Sequence, residues 1–233
     1  MTHLKTVTWQ SPKTFPAMPA TGELHLWKIH VEAPGLDLEN TLSPDEQLRG
    51  RKMLHKKDNI RFSNARGGLR SILGGYLNQS PRSIRFEYGP KGKPFLKHPS
   101  SLTFNLTHAG NLALIAISNE SEIGIDLERQ QQRRNMRKIA QRVFSSEIHN
   151  ELEKLNEDDF EQLFFLHWTQ KEARVKALGE SVFTHDSDIA RIPCANFVPE
   201  PGWCAAIATP DCLADPKDWL NLLFTPDLFH QMR

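Results

Sequence analysis

The chain has 233 residues, 39% of them hydrophobic and 24% charged, and its formal net charge is +1. This composition is typical of a globular protein, and the length suits one large domain or two small ones. A nearly neutral chain has no overall field that would attract nucleic acid or an anionic membrane, so we expect neither as a partner. The clearest apolar run, residues 112–117, is far too short to span a bilayer.

The cysteines and the N-terminal stretch both bear on the cellular compartment. The sequence has three cysteines, Cys194, Cys204 and Cys212. They form no CxxC pair and leave one over in any pairing, which argues against a disulfide framework or a zinc site and favours a reducing compartment. Three prolines interrupt the polar residues 12–19, so this stretch lacks the apolar core of a signal peptide. We therefore expect a cytoplasmic protein.

The first half of the chain is predicted to contain an arm, a strand and helices. These elements are an irregular arm (residues 1–22), a strand with alternating polarity (24–31) and a helical region (43–77) that breaks near Gly50 and resumes at Asn59. The helix start is the clearest signal. Ser43 can cap the helix, Pro44 suits its first position, and Glu46 completes a capping box.

The second half is predicted to be richer in strands. Its elements are a hairpin (residues 102–107 and 112–118), a strand (122–128), helices (137–155 and 156–178) and short strands (189–192, 203–209 and 219–224). The last helix carries an apolar stripe that reaches Leu178, and Gly179 is placed to end it. This order predicts an α+β fold with mainly antiparallel strands. A Leu-Gly helix end in each half indicates an internal duplication, with a join near residues 119–121.

A basic segment lies between Arg49 and Arg70. It contains eight Lys or Arg residues and a single acid, Asp58. Such a cluster can be a solvated helix face, or it can bind an anionic ligand. Composition alone leaves both interpretations open.

Two carboxylates share one face of the strand over residues 123–128. Alternate side chains of a strand point to opposite faces, so the three apolar residues of this strand face the core while Asp126 and Glu128 lie side by side on the other face. An ordinary strand with a wet outer face would show the same pattern. Two adjacent carboxylates also suit a cation site.

A second candidate group lies on the helix over residues 156–178. Glu172 and Lys176 are four residues apart and therefore share a helix face, which a surface ion pair would also explain. Trp168 places this face near the apolar stripe, and Ala173 and Ala177 leave room for something to approach closely. If Glu172 faces the strand carboxylates, three carboxylates without histidine or thiolate favour Mg²⁺, and the chemistry would be phosphoryl transfer.

Four motifs occur in a fixed order along the chain. They are Gly92-Lys93-Pro94, Phe104-Asn105-Leu106-Thr107-His108, Gly124-Ile125-Asp126-Leu127-Glu128 and the segment from Trp168 to Lys176 with its Lys171-Glu172-Ala173 core. Together they resemble the 4′-phosphopantetheinyl transferase superfamily, and specifically its larger, surfactin-type branch. The resemblance covers roughly residues 43–180.

The resemblance implies a role for each matching residue. Asp126, Glu128 and Glu172 would hold Mg²⁺ together with the coenzyme A pyrophosphate. His108 and Lys176 would contact the phosphates, Thr107 would lie near the 3′-phosphate, Lys93 would lie beside the nucleotide, and Arg49 and Arg61 would bind coenzyme A phosphates. The sequence departs from the family pattern at Glu46, where some members have a lysine that touches the nucleotide. A catalytic role for Glu147 is also in doubt because its motif is shifted.

The resemblance further implies a fold and an activity. Two similar subdomains, residues 1–118 and 119–233, would be related by a pseudo-twofold axis, with coenzyme A between them. The monomeric enzyme would transfer 4′-phosphopantetheine to a serine of an apo carrier protein of fatty-acid, polyketide or nonribosomal-peptide synthesis. Glu172, Lys176 and His108 would be the catalytic residues. The alternatives are a non-catalytic module that binds coenzyme A or carrier proteins, and a different Mg²⁺-dependent phosphoryl enzyme such as a pyrophosphatase-like hydrolase.

Overall fold

The computed structural model of the protein describes residues 4–131 and 134–230. The strands are β1 (Lys5–Thr6), β2 (His25–His30), β3 (Phe86–Tyr88), β4 (Pro94–Leu96), β5 (Leu102–Ala109), β6 (Leu112–Asn119), β7 (Gly124–Arg129), β8 (Cys194–Val198), β9 (Trp203–Ala208) and β10 (Leu220–Leu223). The α-helices are α1 (Pro44–Arg51), α2 (Lys56–Leu77), α3 (Met136–Val143), α4 (Ser146–Leu152), α5 (Glu157–Leu178), α6 (Asp186–Ile189) and α7 (Pro226–His230). Within these residues, no helix is both long and apolar enough to cross a membrane.

Two four-stranded sheets form the centre of the molecule. Their strand orders are β10-β2-β6-β5 and β1-β8-β9-β7, and a separate hairpin pairs β3 with β4. Most neighbours are antiparallel, while β10 with β2 and β1 with β8 are parallel. The prediction of an α+β fold with mainly antiparallel strands is confirmed, and the pseudo-twofold relation stays a prediction.

The two sheets exchange strands across the predicted domain boundary. Strand β10, near the end of the chain, pairs with β2 in the first sheet, whereas β1, near the beginning, pairs with β8 in the second. The prediction of an irregular arm missed β1, and residues 1–3 of that arm lie outside the described residues. The division into residues 1–118 and 119–233 remains a proposal.

The packing of the sheets follows from the alternation of side chains along β6. Ala113, Ile115 and Ile117 join the core beneath α2, while Leu112, Leu114 and Ala116 join a core shared with the second sheet. Ile125 and Leu127 of β7 belong to this shared core. The sheets therefore pack face to face, with α2 covering one outer face and α5 the other.

Local sequence signals account for the helix ends. The capping box at the start of α1 is present, with the backbone N–H of Ser43 donating to Glu46 at 3.1 Å. The helix breaks after Arg51, as the region near Gly50 predicts, and α2 begins at Lys56, three residues earlier than expected. Gly179 ends α5 in the left-handed conformation, with φ of 69°.

Three predictions for the second half need correction. The strand predicted over residues 189–192 is wrong, because α6 ends there and the strand β8 follows it. Ile189 and Ile192 are both buried, and their spacing of three suits a helical turn rather than a strand. The helix predicted over residues 137–155 is two helices, since Ser145 caps α4. Leu178 lies outside the apolar stripe, because it is 45% exposed.

Candidate active site

The carboxylate face of β7 packs directly against α5. A Cβ atom added at Gly124 would lie only 2.0 Å from the carbonyl oxygen of Ala173 and 2.3 Å from the backbone nitrogen of Ala177. The space that these two alanines leave is therefore filled by the β7 backbone. This close packing brings Asp126 and Glu128 to the helix face that carries Glu172.

Asp126 lies at the centre of the site and is 5% exposed. Its Oδ1 accepts a hydrogen bond from Lys176 Nζ at 2.6 Å and a long one from Thr107 Oγ1 at 3.5 Å. Its Oδ2 is buried and has no hydrogen-bond partner among the described residues. A buried carboxylate oxygen without a partner is costly. It is also a candidate ligand atom for a cation.

Glu172 and Lys176 complete this cluster from α5. Their side chains approach to 3.9 Å. Burial raises the pKa of Glu172, and the nearby charges of Asp126 and Glu128 raise it further, against the opposing effect of Lys176. Burial acts to lower the pKa of Lys176, but its ion pair and hydrogen bond with Asp126 outweigh burial and raise it. The site thus holds a charged ammonium, Lys176, beside a carboxyl group, Glu172, whose pKa is raised.

Glu128 contacts an aromatic residue that the motif includes but whose role the sequence did not reveal. The indole N–H of Trp168 donates to Glu128 Oε1 at 3.1 Å. The indole ring stacks on Phe164 with a centroid distance of 5.9 Å, and Phe164 stacks on Phe160 at 6.1 Å. A column of aromatic rings along α5 therefore ends in a hydrogen bond to one of the predicted metal ligands.

His108 lies near the end of β5, where the charge of Lys176 acts on it. Burial lowers its pKa, and the positive charges of Lys176, Arg61 and Arg49 lower it further. The imidazole is therefore neutral near pH 7 and lies within the field of three cations. The charges of Arg49, Arg61 and Lys176 thus all act on His108, while its contact with the phosphates of coenzyme A stays a prediction.

The basic segment does not form one uniform phosphate-binding face. Arg66 and Arg70 are buried, and both bond to Glu46. Arg66 also donates to the Tyr88 hydroxyl at 2.8 Å. Glu46 is therefore an internal partner of two arginines rather than a nucleotide contact. Arg61, by contrast, is 27% exposed and pairs with Glu32.

Lys93 connects the two halves of the chain. Its ammonium pairs with Glu122 and donates to the carbonyl oxygen of Ala177 at 3.0 Å, at the C-terminal end of α5. Lysine favours helix C-termini because of the helix dipole. Lys93 also lines a cleft of about 540 Å³ between the β3–β4 hairpin and the end of α5. These contacts do not test its predicted position beside the nucleotide.

Three further residues support the site and were not predicted. The side chain of Asn105 accepts a hydrogen bond from the backbone N–H of Ile125 at 3.0 Å, which ties β7 to β5. The buried ammonium of Lys171 donates to Asp186 and to two backbone carbonyls. Glu32 pairs with Lys57 and Arg61. Asn105 and Lys171 lie inside the motifs, but only tertiary contacts reveal their roles.

The donor set suits a hard cation, although the described residues contain no ready-made cluster of metal ligands. Its carboxylates supply only oxygen atoms, which Mg²⁺ prefers, and the buried Asp126 Oδ2 lacks a partner. Asp126, Glu128 and Glu172 are close enough for the first two to influence the pKa of the third. The residues present therefore fit the predicted ion.

Comparison with known proteins decides the family. The chain is 36% identical over 217 residues to the 4′-phosphopantetheinyl transferase HetI of Nostoc sp., which covers 84% of this chain and 92% of HetI. The chain belongs to the 4′-phosphopantetheinyl transferase superfamily. A model of this superfamily matches residues 122–206, which include β7, α5, β8 and most of β9.

Other members of the 4′-phosphopantetheinyl transferase superfamily are similar over shorter stretches. The chain is 38% identical over 160 residues to slr0495 of Synechocystis sp., covering 67% of this chain and 65% of that protein. It is 37% identical over 114 residues to the 4′-phosphopantetheinyl transferase AcpT of Escherichia coli K12, covering 49% of this chain and 57% of AcpT. Coenzyme A is the substrate of this superfamily. Assignment to its surfactin-type branch stays a prediction.

Proposed function

We propose that this protein transfers the 4′-phosphopantetheine group of coenzyme A to a serine of an apo carrier protein, with release of adenosine 3′,5′-bisphosphate. The observation that carries this proposal is the meeting of Asp126, Glu128, Glu172 and Lys176 at the contact between β7 and α5. A module that only binds coenzyme A needs cationic residues, but it has no need for three converging carboxylates. Holo-acyl-carrier-protein synthase activity is part of the proposal.

Asp126, Glu128 and Glu172 would hold Mg²⁺, and the buried Asp126 Oδ2 is the best-prepared ligand atom. The ion, when bound, would neutralise charge on the coenzyme A pyrophosphate. Trp168 would orient Glu128 through its indole N–H. Lys176, which bonds to Asp126 Oδ1, would lie at the edge of the same site.

The phosphates of coenzyme A would lie on the cationic side of the cluster. Arg49 and Arg61 provide guanidinium groups, which bind phosphate through parallel N–H bonds. His108 is neutral and can donate one N–H to a phosphate oxygen, with Thr107 beside it. Lys93 would meet the nucleotide at the β3–β4 hairpin. These assignments rest on the family motifs and on the charges that act on His108.

The transfer step requires a base and a stabilised leaving group. Glu172 lies on α5 beside Lys176 and the strand carboxylates, and it is the proposed base. Glu172, directly or through a water molecule, would take the proton of the carrier serine as its oxygen attacks the β-phosphorus. The bond from that phosphorus to the bridging oxygen breaks, and adenosine 3′,5′-bisphosphate leaves with the electron pair. Lys176 would offset the negative charge on the leaving group, and the neutral His108 would donate a hydrogen bond to it.

The decisive experiment measures the intact mass of an apo carrier protein after incubation with this protein, coenzyme A and Mg²⁺, with and without a chelator. We expect a gain of one phosphopantetheine unit that the chelator abolishes. Apo carriers from fatty-acid, polyketide and nonribosomal-peptide synthesis should be compared, because the structure does not select among them. The protein is also proposed to be cytoplasmic and monomeric. Light scattering of the same sample measures the molar mass and so checks the monomeric state.

Two variants make the experiment specific for the proposed site. Glu172→Gln removes the base but keeps the side-chain shape, and we expect it to lose at least about a hundredfold in kcat. Asp158→Asn makes the same change of charge at an exposed position at the start of α5 and should behave like the unmodified protein. Full turnover by Glu172→Gln would remove Glu172 from the role of base. Binding of coenzyme A without any mass gain would favour a non-catalytic module.

A further inference from the structure

Glu32 holds two cations of the basic segment in place. It follows strand β2, and its carboxylate bridges Lys57 and Arg61, which lie four residues apart on the first turns of α2. Oε1 bonds to Arg61 Nε, and Oε2 lies 3.3 Å from Lys57 Nζ. The hydrogen bond from Arg61 lowers the pKa of Glu32, so the carboxylate is ionised at neutral pH.

The geometry of this contact leaves part of Arg61 available. Glu32 engages Nε, while the terminal nitrogen Nη1 lies 3.8 Å from Asp58, at the outer limit for an ion pair. The charge of Arg61 acts on His108. The guanidinium is therefore fixed by one edge and lies beside the predicted phosphate site.

Glu32 can affect the binding of an anionic ligand by Arg61 in two opposite ways. A carboxylate on Arg61 can compete with an anionic ligand, so that its removal would tighten binding. Alternatively, it can hold a long and otherwise mobile side chain in the binding conformation, so that less conformational freedom is lost when the ligand binds. Glu32 bonds to Arg61 through Nε rather than through a terminal nitrogen, so it orients the guanidinium and leaves the terminal nitrogens for a phosphate, which favours the second effect.

We propose that Glu32 is a positioning residue that presets Arg61, together with Lys57, for the phosphates of coenzyme A. This inference rests on the proposed function, since it assumes that Arg61 binds coenzyme A. Glu32 itself touches no substrate and acts only through its two cationic partners. Its loss should therefore weaken the binding of coenzyme A and leave the rate of the bound complex unchanged.

The test compares Glu32→Ala, Glu32→Gln and Glu39→Ala by calorimetric titration with coenzyme A and by the transfer assay. Glu39 is the matched control, because it also pairs with an arginine of the same segment, Arg51 at 3.4 Å, but Arg51 has no predicted contact with the ligand. We expect Glu32→Ala to raise the Kd and KM for coenzyme A about fivefold to tenfold with kcat within about twofold. Glu32→Gln keeps an acceptor oxygen for Nε, so its Kd and KM should lie between those of Glu32→Ala and the unmodified protein. Glu39→Ala should match the unmodified protein.

A double-mutant cycle with Arg61→Ala separates positioning from general damage to the fold. If Glu32 acts through Arg61, then Glu32→Ala has little further effect on the Kd in the Arg61→Ala background. An unchanged or lower Kd for Glu32→Ala, or an equal effect in both backgrounds, would overturn the proposal. Melting temperatures of all variants exclude unfolded samples, and Glu32→Gln gives a second measurement if Glu32→Ala does not fold.

Failure of the proposed function would look different from failure of this inference. If the unmodified protein binds coenzyme A but transfers nothing, the transferase proposal fails, and the Kd series still decides the role of Glu32. If the unmodified protein does not bind coenzyme A at all, both proposals are wrong. If the unmodified protein catalyses transfer but the Glu32 variants behave like the Glu39→Ala control, the inference about Glu32 is wrong and the proposed function stands.

Discussion

Trp168 shows how one side chain can serve both packing and chemistry. Its ring continues the aromatic column of α5, and its N–H donates to Glu128 at 3.1 Å. A hydrogen bond to a charged acceptor contributes more than a neutral one, roughly 1.5–3 kcal/mol. Its main value here is orientation, because Glu128 is a proposed ligand of the metal ion and must point towards Asp126.

Replacing Trp168 by phenylalanine should separate these two roles. Trp168→Phe keeps a stacked ring but removes the N–H, so we expect kcat to fall about tenfold and the free energy of unfolding to fall by about 1.5–3 kcal/mol. The transfer assay and urea denaturation measure the two effects. Trp9→Phe makes the same change where the indole donates to the carbonyl oxygen of Pro199, and it should retain full turnover. Equal kinetics for the two variants would contradict the role given to Trp168.

Residue spacing predicted the central cluster because two short periodicities sufficed. The strand period places Asp126 and Glu128 on one face, and the helix period places Glu172 and Lys176 on another. Glu32 could not be found in this way, since its partners on α2 are about thirty residues away and no local pattern links them. Only tertiary packing brings Glu32 to Lys57 and Arg61.

The contact between β7 and α5 depends on glycine at position 124. The backbone atoms of α5 leave no room for a Cβ atom there, with the nearest at 2.0 Å. Because these are backbone atoms of a buried helix, they cannot rotate away as a side chain could. Any larger residue must push the strand and the helix apart, and the carboxylates would then separate from Glu172.

We therefore expect Gly124→Ala to lower the free energy of unfolding by about 2 kcal/mol or more and to abolish measurable transfer. Urea denaturation and the transfer assay provide the measurements. Gly89→Ala is the control, since its added Cβ would lie 3.7 Å from the carbonyl oxygen of Lys93, an ordinary contact. We expect that variant to change stability by no more than about 0.5 kcal/mol. A stable and active Gly124→Ala protein would show that the two elements are less tightly coupled than their packing indicates.

The side chain of Asn105 accepts a hydrogen bond from a backbone N–H at the edge of β7. Strand β7 is the last strand of its sheet, so the Ile125 N–H that points away from β9 has no strand partner, and Asn105 on β5 accepts its hydrogen bond. Asn105→Ala would leave this N–H unpaired, with an expected loss of about 1–3 kcal/mol in the free energy of unfolding and a lower kcat. Asn119→Ala truncates an amide whose side-chain oxygen has no hydrogen-bond partner within residues 4–131 and 134–230, and it should cost less. Equal losses in urea denaturation would argue against this account.

The elements that the sequence predicted best are those with strong local signals. The capping box at Ser43 and the left-handed Gly179 mark helix ends without help from the rest of the fold. The segment over residues 189–192 was misassigned because it is too short for its apolar pattern to distinguish a strand from a helical turn, although the spacing of Ile189 and Ile192 suits the turn. Burial on the second sheet decides between them, and the sequence does not contain that information locally.

At the scale of the whole molecule, the face-to-face packing of the two sheets determines where the site lies. Strands β5 and β7 are edge strands of different sheets that the Asn105 bond holds together. Thr107 and Asp126 therefore meet where the sheets join. Alternating polarity could predict each strand, but it could not predict that β1 and β10 pair across the halves, because parallel pairing over such distances has no local signal.

The first sheet also contains a buried histidine that should make global stability depend on pH. His25 is 5% exposed, and burial lowers its pKa from 6.5 to about 4. The indole N–H of Trp27 donates to the Tyr76 hydroxyl at 3.1 Å, and His25 Nδ1 forms a hydrogen bond of 2.6 Å with the same hydroxyl. A protonated imidazole would carry a charge within the core.

Between pH 6.5 and pH 4 the unfolded chain therefore binds a proton at His25 that the folded protein does not. Because the unfolded state binds more protons there, stability falls as the pH drops through this window, by roughly 2–3 kcal/mol between pH 7.5 and pH 4.5 from this group alone. Urea denaturation at the two pH values should show a smaller difference for His25→Gln than for the unmodified protein. His98→Gln, at an exposed position, should retain the full difference. An identical pH dependence in all three proteins would mean that His25 is protonated equally in the folded and unfolded states.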